Sequence, residues 1–187
     1  MLSDDVIIQS VLDGNVQNFE VIIERYGLRI INFINKMLAD YDEAENISQE
    51  VFLKLYENLK KYSMQGNFKT FVFTIARNTT LNHIKKQKRI TFFSRMPANH
   101  CIDNYIVSKE TPEKAIDKKQ RDKDLLTALY SLKENQRLAL VLKVYLEMSY
   151  KEISEITGWS ISKIETLISR AKGNLKNKLQ ENKELIV

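Results

Sequence analysis

The sequence predicts an all-α protein of two small helical domains joined by a flexible linker, with a helix-turn-helix in the C-terminal domain. Only 5 glycines and 2 prolines occur among the 187 residues, too few turn-forming residues for a β-sandwich, a barrel or a series of βα units. Leucine, lysine and glutamate are among the commonest residues, and all three favour helices. Apolar residues also recur every three or four positions through most of the chain, which indicates amphipathic helices.

The first two predicted helices precede residue 40. Ser3 stands before a short apolar pattern that runs to Leu12, and Gly14 ends it. A longer apolar stripe follows, and Gly27 falls inside it; we expect the helix to continue there at a cost of about 1 kcal/mol relative to alanine. The stripe consists of Phe19, Ile22, Ile23, Tyr26, Ile30, Phe33, Ile34 and Met37.

A third helix is predicted to begin at Asp42, with Glu45 as the capping-box partner of that N-cap, and to reach about Lys61. One face of this helix is apolar and the opposite face is acidic and polar. The apolar face holds Ala44, Ile47, Val51, Leu55 and Leu59, and the polar face holds Glu43, Glu45, Asn46, Gln49 and Glu50.

A fourth helix is predicted after Asn67, whose side chain can cap it. Phe68 and Phe71 are expected in its core, and its last turns carry Lys85, Lys86, Lys88 and Arg89. Those bases also complement the helix dipole, so they do not by themselves indicate a ligand. Periodicity is then lost and both prolines occur, so we predict a domain over 1–90, a linker over 91–122 and a second domain over 123–187.

The second domain begins with two short apolar stripes, one of Leu125, Leu126 and Leu129 and one of Leu138, Val141, Leu142 and Tyr145. The stretch YKEISEITGWSISKIETLISRAK follows, with a Ser149–Glu152 capping box at its start and Gly158 at the turn. Ser160 or Ser162 can cap its second helix. The predicted inward side chains of that helix are Ile161, Ile164, Ile168, Ala171, Leu175 and Leu179.

Two short helices joined at a glycine, the second polar at its start and basic later, form the pattern of a DNA-reading helix-turn-helix. Its outward residues include Ser162, Lys163, Glu165, Thr166 and Ser169, followed by Arg170 and Lys172. A plain helical hairpin closing a core is the alternative. Glu165 favours that alternative, because phosphates repel a carboxylate unless it accepts from a cytosine amino group.

The bulk composition excludes several classes of protein. Cys101 is the only cysteine, so no internal disulfide can form, and together with two well-separated histidines it provides no metal-ligand cluster. No apolar run approaches the ~20 residues that span a bilayer, and Asp4 and Asp5 stand where a signal peptide carries bases. We therefore expect a cytoplasmic protein. A net charge of +5 permits a polyanionic partner without requiring one.

Three segments together resemble one protein family. The stretch from Leu132 to Leu175 resembles the fourth-region domain of bacterial RNA polymerase sigma factors. DYDEAENISQEVFLKLYENL (40–59) is similar to the family's second region, which usually reads D-A-E-D-hydrophobic-x-Q-E-x-F, and FKTFVFTIARNTTLNHIKKQKR (68–89) is similar to its I-A-R-N-x-x-L-D-x-x-R-R signature. The segments occur in the family's order without a further domain between them, which is typical of the extracytoplasmic-function (ECF) group of the sigma-70 family.

The resemblance implies a subunit that binds core RNA polymerase and directs promoter recognition, DNA opening and transcription initiation. It implies no catalytic residue, cofactor, metal or small-molecule substrate, and the sequence likewise shows no glycine-rich phosphate loop or nucleophile elbow. The expected partners are the β′ clamp helices and β flap of the polymerase and promoter DNA. Many family members are held inactive by an anti-sigma factor, so the resemblance allows such a partner here.

The resemblance assigns core-polymerase binding to the acidic face of the third helix. The expected contact residues are Asp42, Glu43, Glu45, Asn46, Gln49 and Glu50. Charge complementarity with an arginine-rich partner would favour both the rate and the register of docking. Taken without the resemblance, the same acids would be interpreted as a solvated face near a helix N-terminus.

Engagement of the minus-ten promoter element is assigned to the fourth helix and the loop before it. Capture of a single strand requires a basic track and planar or apolar groups for an unstacked base. The candidates are Tyr62, Met64, Arg77, Asn78, Asn82, His83, Lys85 and Lys86, with Phe73 as a further candidate wedge. Each aromatic residue taken alone is more often part of a core.

Reading of the minus-thirty-five element is assigned to the helix-turn-helix. The candidates are Ser160, Ser162, Lys163, Glu165, Thr166, Ser169, Arg170 and Lys172. The chain departs from the family pattern at Asn46 and Asn82, where aspartate is usual, and at Phe71, which is often tryptophan. Glu165 and Leu167 stand where bases are common, so the contacts of the reading helix are expected to differ from those of other members.

Two other functions fit parts of the pattern. A stand-alone helix-turn-helix regulator would read DNA without polymerase, as a dimer on two half-sites, but it leaves the resemblance of the first domain unexplained. A purely protein-binding helical module would carry its bases on solvated faces. The linker length fits the sigma-factor interpretation, since roughly 30 residues extend at most ~100 Å and promoter elements about two helical turns apart need ~70 Å.

Overall fold

A computed structural model describes residues 2–63, 66–94 and 125–184 of the chain. The first half contains α1 (Asp4–Leu12), α2 (Phe19–Leu38), α3 (Tyr41–Asn58) and α4 (Phe68–Ser94), with 3₁₀ turns at Val16–Asn18 and Leu59–Lys61. The second half contains α5 (125–131), α6 (Glu134–Leu140), a π-helical segment (Val141–Tyr145), α7 (Tyr150–Thr157) and α8 (Ile161–Glu184). The described residues contain no β-strand, and the all-α prediction is confirmed.

Two of the predicted helix caps are present as the sequence indicates. The Ser3 hydroxyl accepts a hydrogen bond from the Val6 N–H at 3.4 Å and opens α1. The Asn67 side-chain oxygen accepts from the Thr70 N–H, also at 3.4 Å, and opens α4. Both caps satisfy a backbone donor that lacks a partner within its own helix.

The predicted cap of the third helix is wrong by two residues. Ala39 takes the left-handed conformation, with φ of 63°, and ends α2. Asp40 is extended, and its carboxylate, not that of Asp42, accepts from the Glu43 N–H at 3.0 Å. Tyr41 is the first helical residue, because Ala39 ends α2 and the extended Asp40 already caps α3.

The core of the first half combines aliphatic and aromatic side chains. Phe33 and Phe73 are fully buried and meet edge to face, with ring centroids 5.9 Å apart, a geometry that suits the ring quadrupoles. The predicted inward residues of α3 are all buried, and so is most of the stripe of α2. The buried members of those two sets are Phe19, Ile22, Tyr26, Ile30, Phe33, Ile34 and Met37 from α2, and Ala44, Ile47, Val51, Leu55 and Leu59; Ile23 is the exception and is exposed.

The core of the second half is aliphatic, and three residues predicted to face it do not. Leu125, Tyr145 and Ile161 are each close to half exposed, since each lies at the end of its helical segment, where neighbouring elements cover less of its surface. The buried apolar residues are Ala128, Leu129, Leu132, Leu138, Ala139, Leu140, Val141, Leu142, Leu146, Met148, Ile153, Ile156, Ile164, Ile168 and Ala171.

The two halves pack against each other, and their buried side chains form one continuous apolar cluster. α7 lies against α4, and α6 and the π-helical segment touch α2. α4 continues to Ser94, so the first residues assigned to the linker are helical. The rest of the predicted linker, with Cys101 and both prolines, lies outside the described residues.

Candidate functional site

The acidic face of α3 is open to solvent. Asp40 caps the helix, and the register that follows turns the predicted set outward. Glu43 is the one member of that set that is partly covered. Glu50 pairs with Lys54 one turn later, 2.5 Å away, in an exposed contact. The exposed members are Asp42, Glu45, Asn46, Gln49 and Glu50.

Two apolar residues on this face were missed by sequence reasoning. Leu53 is 66% exposed and Tyr56 is 42% exposed, and both lie on the helix face that carries Asn46 and Gln49, at spacings of three, four and seven. A leucine on a solvated polar face was the available signal, because α3 otherwise keeps its apolar residues on the opposite face. Leu53 lies one turn after Gln49 and Glu50, so the apolar pair adjoins the C-terminal end of the acidic and polar set.

Glu43 and His83 connect the acidic face to the next candidate surface. The His83 Nε2 lies 3.2 Å from the Glu43 carboxylate, an ion pair whenever the imidazole is protonated. Both side chains are partly buried between α3 and α4. The resemblance assigned Glu43 to core-polymerase binding and His83 to the minus-ten element, and the structure places the two side chains in contact.

The outer face of α4 carries amides and bases. Asn78, Asn82, Lys85 and Lys86 are exposed and recur at spacings of three and four, so they form one continuous strip. Arg77 is set off from this strip and half-buried, and its guanidinium donates to the Asn78 side-chain oxygen at 3.0 Å. The strip combines hydrogen-bonding amides with positive charge.

The aromatic candidates for base stacking are not presented to solvent. Tyr62 is 9% exposed, and its ring packs against Phe68 and Phe71 with centroids 5.1 and 5.4 Å away. Phe73 is fully buried against Phe33, so its assignment as a wedge was wrong. The Tyr62 ring packs on α4 and its hydroxyl reaches Asp5 of α1, whereas Phe73 packs on α2, so neighbouring helices cover both rings. Met64 lies outside the described residues.

The helix-turn-helix has the local structure that its sequence predicts. Ser149 and Glu152 form a reciprocal capping box at the start of α7. Gly158 is left-handed, with φ of 71°, and ends α7; its N–H bonds to the Ser154 carbonyl at 2.7 Å. Ser160, the first of the two proposed caps, accepts from the Lys163 N–H at 3.3 Å and opens α8.

The outward face of α8 contains the whole set predicted to read the upstream element. All of these side chains are exposed: Ser160, Ser162, Lys163, Glu165, Thr166, Ser169, Arg170 and Lys172. Leu167 is partly buried and packs against the core. A base at position 167 would not join the outward set, so Glu165 is the departure that changes the chemistry of this face.

Trp159 is a further residue that sequence reasoning did not single out. The Lys163 ammonium lies over its ring, 4.9 Å from the centroid, within the range of a cation–π contact. The contact orients the lysine at the start of α8. An aromatic residue four positions before a lysine at a helix start was the signal available in the sequence.

Polar contacts join the two halves beside the helix-turn-helix. Lys69 at the start of α4 lies 3.3 Å from the Glu152 carboxylate, and Lys88 lies 2.7 Å from Glu134. The Tyr130 hydroxyl donates to a backbone carbonyl of α2. Partial burial opposes ionisation of Glu152, but its hydrogen bonds to Ser149 and the charge of Lys69 outweigh that effect and hold its pKa below the usual range.

The described part of the chain contains no group of three His, Cys, Asp or Glu side chains placed to hold a metal ion. No described helix combines the length and hydropathy needed to cross a bilayer.

Comparison with known proteins finds the same two regions. Residues 22–90 match the family described as Sigma-70 region 2, and residues 122–175 match Sigma-70, region 4. The RNA polymerase sigma factor YlaC of Bacillus subtilis is 26% identical, over 89% of this chain and 95% of its own length. The ECF RNA polymerase sigma-E factor of Haemophilus influenzae is 22% identical, over 96% of each chain.

Among solved structures, the fold is similar to that of the sigma factor RpoE in its complex with the anti-sigma factor NepR from Bartonella quintana. The match has a TM-score of 0.74 at 22% identity and covers 88% of this chain and 98% of that one. The likeness shows that the arrangement of helices is shared.

Proposed function

Because the chain belongs to the ECF group of the sigma-70 family of RNA polymerase sigma factors, we propose that its three outward faces divide the work of promoter recognition. The α3 face binds core polymerase, the α4 strip and the loop before it engage the minus-ten element, and the α8 face reads the minus-thirty-five element. The observation that carries the proposal is the separation of charge: the acidic set and the basic sets lie on different exposed helix faces.

Core binding combines acidic and polar groups with apolar surface on one helix face. Leu53 and Tyr56 supply the apolar surface, and Glu45, Asn46 and Glu50 supply polar groups on the turns before it. Interfaces commonly gain most of their affinity from a few such anchors that become fully desolvated, with charges at the rim setting orientation and rate. The α3 face therefore suits a partner helix that offers both arginines and a small apolar pocket.

Minus-ten engagement uses the amides and lysines of α4. Asn78 and Asn82 can donate to and accept from the edges of unstacked bases, while Lys85 and Lys86 follow the phosphate backbone. A single strand crossing this face would meet both groups within about three helical turns. His83 adjoins the strip but contacts Glu43, so its side chain couples the polymerase-binding face to the DNA-binding face.

Upstream recognition uses the first turns of α8 for bases and its later turns for phosphates. Ser162, Glu165 and Thr166 lie where a recognition helix meets base edges. Lys163, Arg170 and Lys172 supply positive charge for the backbone. A carboxylate in this position accepts from a cytosine amino group, so we infer a cytosine opposite Glu165.

Simultaneous binding of both promoter elements requires the two halves to separate. α4 and α7 are in contact, whereas two promoter elements separated by about two turns of DNA lie ~70 Å apart. The 30 residues between the described halves can extend to ~100 Å, so the chain has the necessary reach. Loss of the Lys69–Glu152 and Lys88–Glu134 pairs accompanies that opening.

The remaining roles follow from the family. Nucleotidyl transfer belongs to the polymerase, so this chain contributes no catalytic group, and it acts in the cytoplasm beside polymerase and DNA. A partner of the anti-sigma class is included in the proposal, because the similar RpoE chain was solved in complex with one.

Run-off transcription tests the function directly. Genomic fragments are incubated with core polymerase alone, with this protein alone and with both. Discrete transcripts from the mixture alone are the expected result, and they would also yield the promoter sequences. Specific DNA binding without polymerase, and no transcripts from the mixture, would favour the stand-alone regulator instead.

Two sets of substitutions separate the surfaces. Charge reversal at Glu45 and Glu50 should weaken binding to core polymerase and leave upstream-duplex binding unchanged. Alanine at Lys163, Arg170 and Lys172 should do the opposite and flatten the salt dependence of duplex binding by roughly one unit of log–log slope per lost phosphate contact. Loss of both activities in either variant would contradict the assignment of separate surfaces.

A further inference from the structure

The two ring nitrogens of His83 have different surroundings. Nε2 is covered and lies 3.2 Å from the Glu43 carboxylate, whereas Nδ1 is not covered in this way. The side chain keeps 21% of its surface exposed, so the exposed part lies away from Nε2. Because His83 directly follows Asn82 and precedes Lys86 by three residues, this exposed part adjoins the amide and lysine strip of α4.

Glu43 differs from the other acids of α3 in the direction that it faces. Its side chain is 31% exposed and its carboxylate is turned toward α4, the helix against which α3 packs. Asp42, Glu45 and Glu50 are exposed to solvent instead. A partner that docks on the outward face of α3 would meet those three acids before Glu43. The placement of Glu43 therefore suits support of a group on α4 better than contact with polymerase.

A carboxylate beside Nε2 decides where a neutral imidazole carries its proton. An ionised carboxylate can only accept hydrogen bonds, so it favours the tautomer with the proton on Nε2 and leaves a lone pair on Nδ1. The N–H direction is not well aligned with the nearest carboxylate oxygen, so the contact acts mainly through charge over the 3.2 Å between the two atoms. The part of His83 beside the α4 strip is then a hydrogen-bond acceptor.

We propose that His83 recognises a base with an exocyclic amino group, adenine or cytosine, in the unstacked minus-ten strand, and that Glu43 is its positioning residue. The inference rests on the proposed role of the α4 strip. Adenine N6 and cytosine N4 donate hydrogen bonds, whereas guanine O6 and thymine O4 accept them. An acceptor at Nδ1 pairs with the first two groups and repels the other two, so it discriminates between bases. Lys85 and Lys86, in contrast, hold the backbone of any sequence.

The test uses holoenzyme assembled from core polymerase and the full chain, at about pH 8 to favour the neutral ring. Its probe is a fluorescent non-template-strand oligonucleotide with the minus-ten sequence obtained by run-off transcription. In copies of it, each adenine is replaced in turn by purine and each cytosine by 2-pyrimidinone, which lack only the amino group. At one position, loss of the amino group is expected to raise the Kd about fivefold, the effect of one hydrogen bond.

Two variants assign that effect to its residues. His83→Ala should raise the Kd of the original oligonucleotide by a similar factor and abolish the effect of the missing amino group, because both changes remove one shared contact. Glu43→Gln is close to isosteric, but its amide can donate to Nε2 as well as accept from it, so the proton position is no longer fixed. The missing amino group should then have little effect, while affinity for core polymerase stays unchanged in both variants.

Glu45→Gln is the matched control, because it removes the same charge from an exposed position on the same helix. It should weaken binding to core polymerase and leave the effect of the missing amino group intact. Melting temperatures of the three variants should lie close to that of wild type, since His83 and Glu43 are both partly exposed.

An effect of amino-group removal that is the same in wild type and His83→Ala at every position would overturn recognition by His83. An effect lost in His83→Ala but kept in Glu43→Gln would contradict the positioning role of Glu43, as would a loss of core affinity in Glu43→Gln as large as that in Glu45→Gln. A wild-type holoenzyme that does not bind the oligonucleotide would refute the role of the α4 strip and this inference with it. Failure of the wild-type chain to bind core polymerase would instead refute the proposed function, so the failures are distinguishable.

Discussion

The two halves of the molecule reach a similar helical architecture by different means. The first half relies on long helices and aromatic packing, with edge-to-face pairs such as Phe33–Phe73 and Tyr26–Phe68. The second half has shorter connecting helices and an aliphatic core. Side-chain caps open helices in both halves, at Ser3, Asp40 and Asn67 in the first and at Ser149 and Ser160 in the second. The difference between the cores teaches that truncation of a buried ring in the first half should have the largest effect on stability.

The largest loss of stability is expected from removing one ring of a buried aromatic pair. Phe73→Ala should destabilise the first half by about 3–5 kcal/mol, because it removes a fully buried ring and leaves a cavity beside Phe33. Denaturant unfolding followed by circular dichroism measures the change. Leu53→Ala, at a highly exposed position, should stay within about 0.5 kcal/mol of wild type while weakening core binding. Comparable stability losses in the two variants would contradict the described core.

The next largest changes in stability are expected from two glycine substitutions with opposite signs. Gly158→Ala should destabilise the protein by about 1–2 kcal/mol, because a Cβ disfavours its left-handed conformation, although nothing lies within 4 Å of the added atom. Gly27→Ala should stabilise it by about 0.5–1 kcal/mol, since that glycine lies inside α2 with equally open space. Thermal melting of both variants checks the opposite signs, and equal signs would show that one of the two conformations is misassigned.

A smaller effect depends on pH and on Glu152. Its pKa is below the ordinary value of 4.5, so its contribution to stability is present above that value and is lost as pH falls through the lower folded-state pKa. Glu152→Gln keeps a side chain that can complete the capping box but loses the charge. We expect it to be less stable than wild type at pH 7, by less than about 1 kcal/mol, and the difference should vanish in acid.

Urea titrations at neutral pH and at several acid values test that prediction. Glu155→Gln, at an exposed position on the same helix, serves as the matched control. A Glu152→Gln difference that persists unchanged into acid would show that charge is not its cause.

The smallest effect is expected at the exposed pair between the halves. Lys88→Ala should change stability by only about 0.3 kcal/mol, since the lysine side chain is 67% exposed and water screens the pair. Instead, the substitution should increase the fraction of molecules in which the two halves are separated. Energy transfer between dyes placed on the two halves should decrease slightly at low salt, and raising the salt should remove the difference between variant and wild type. A large loss of stability would mean that the pair is more deeply buried than described.

Local patterns determined most of the helices and their ends. Ser3, Asn67, the Ser149–Glu152 box and Gly158 each act on backbone groups within four residues, so a short window of sequence contains the whole interaction. The stripes of α2 and α3 are also local, because the period of the helix decides which residues share a face. The outward positions of most α3, α4 and α8 candidates followed from the same periodicity, but not the partial burial of Glu43, Arg77 and His83.

Tertiary packing decided the burial and the contacts of residues that lie far apart in the sequence. Tyr62 and Phe73 resemble loop and surface aromatics in sequence, yet Tyr62 is covered by contacts with α1 and α4 and Phe73 by contact with α2. The pairs Glu43–His83, Asp5–Tyr62 and Lys69–Glu152 join residues that are 40, 57 and 83 positions apart along the chain, and no local pattern specifies such distances. The sequence by itself determined the helices, most of their caps and their charged faces. Only the packing of one helix on another decided which aromatic rings are covered and which charges meet, because burial depends on every neighbouring element at once.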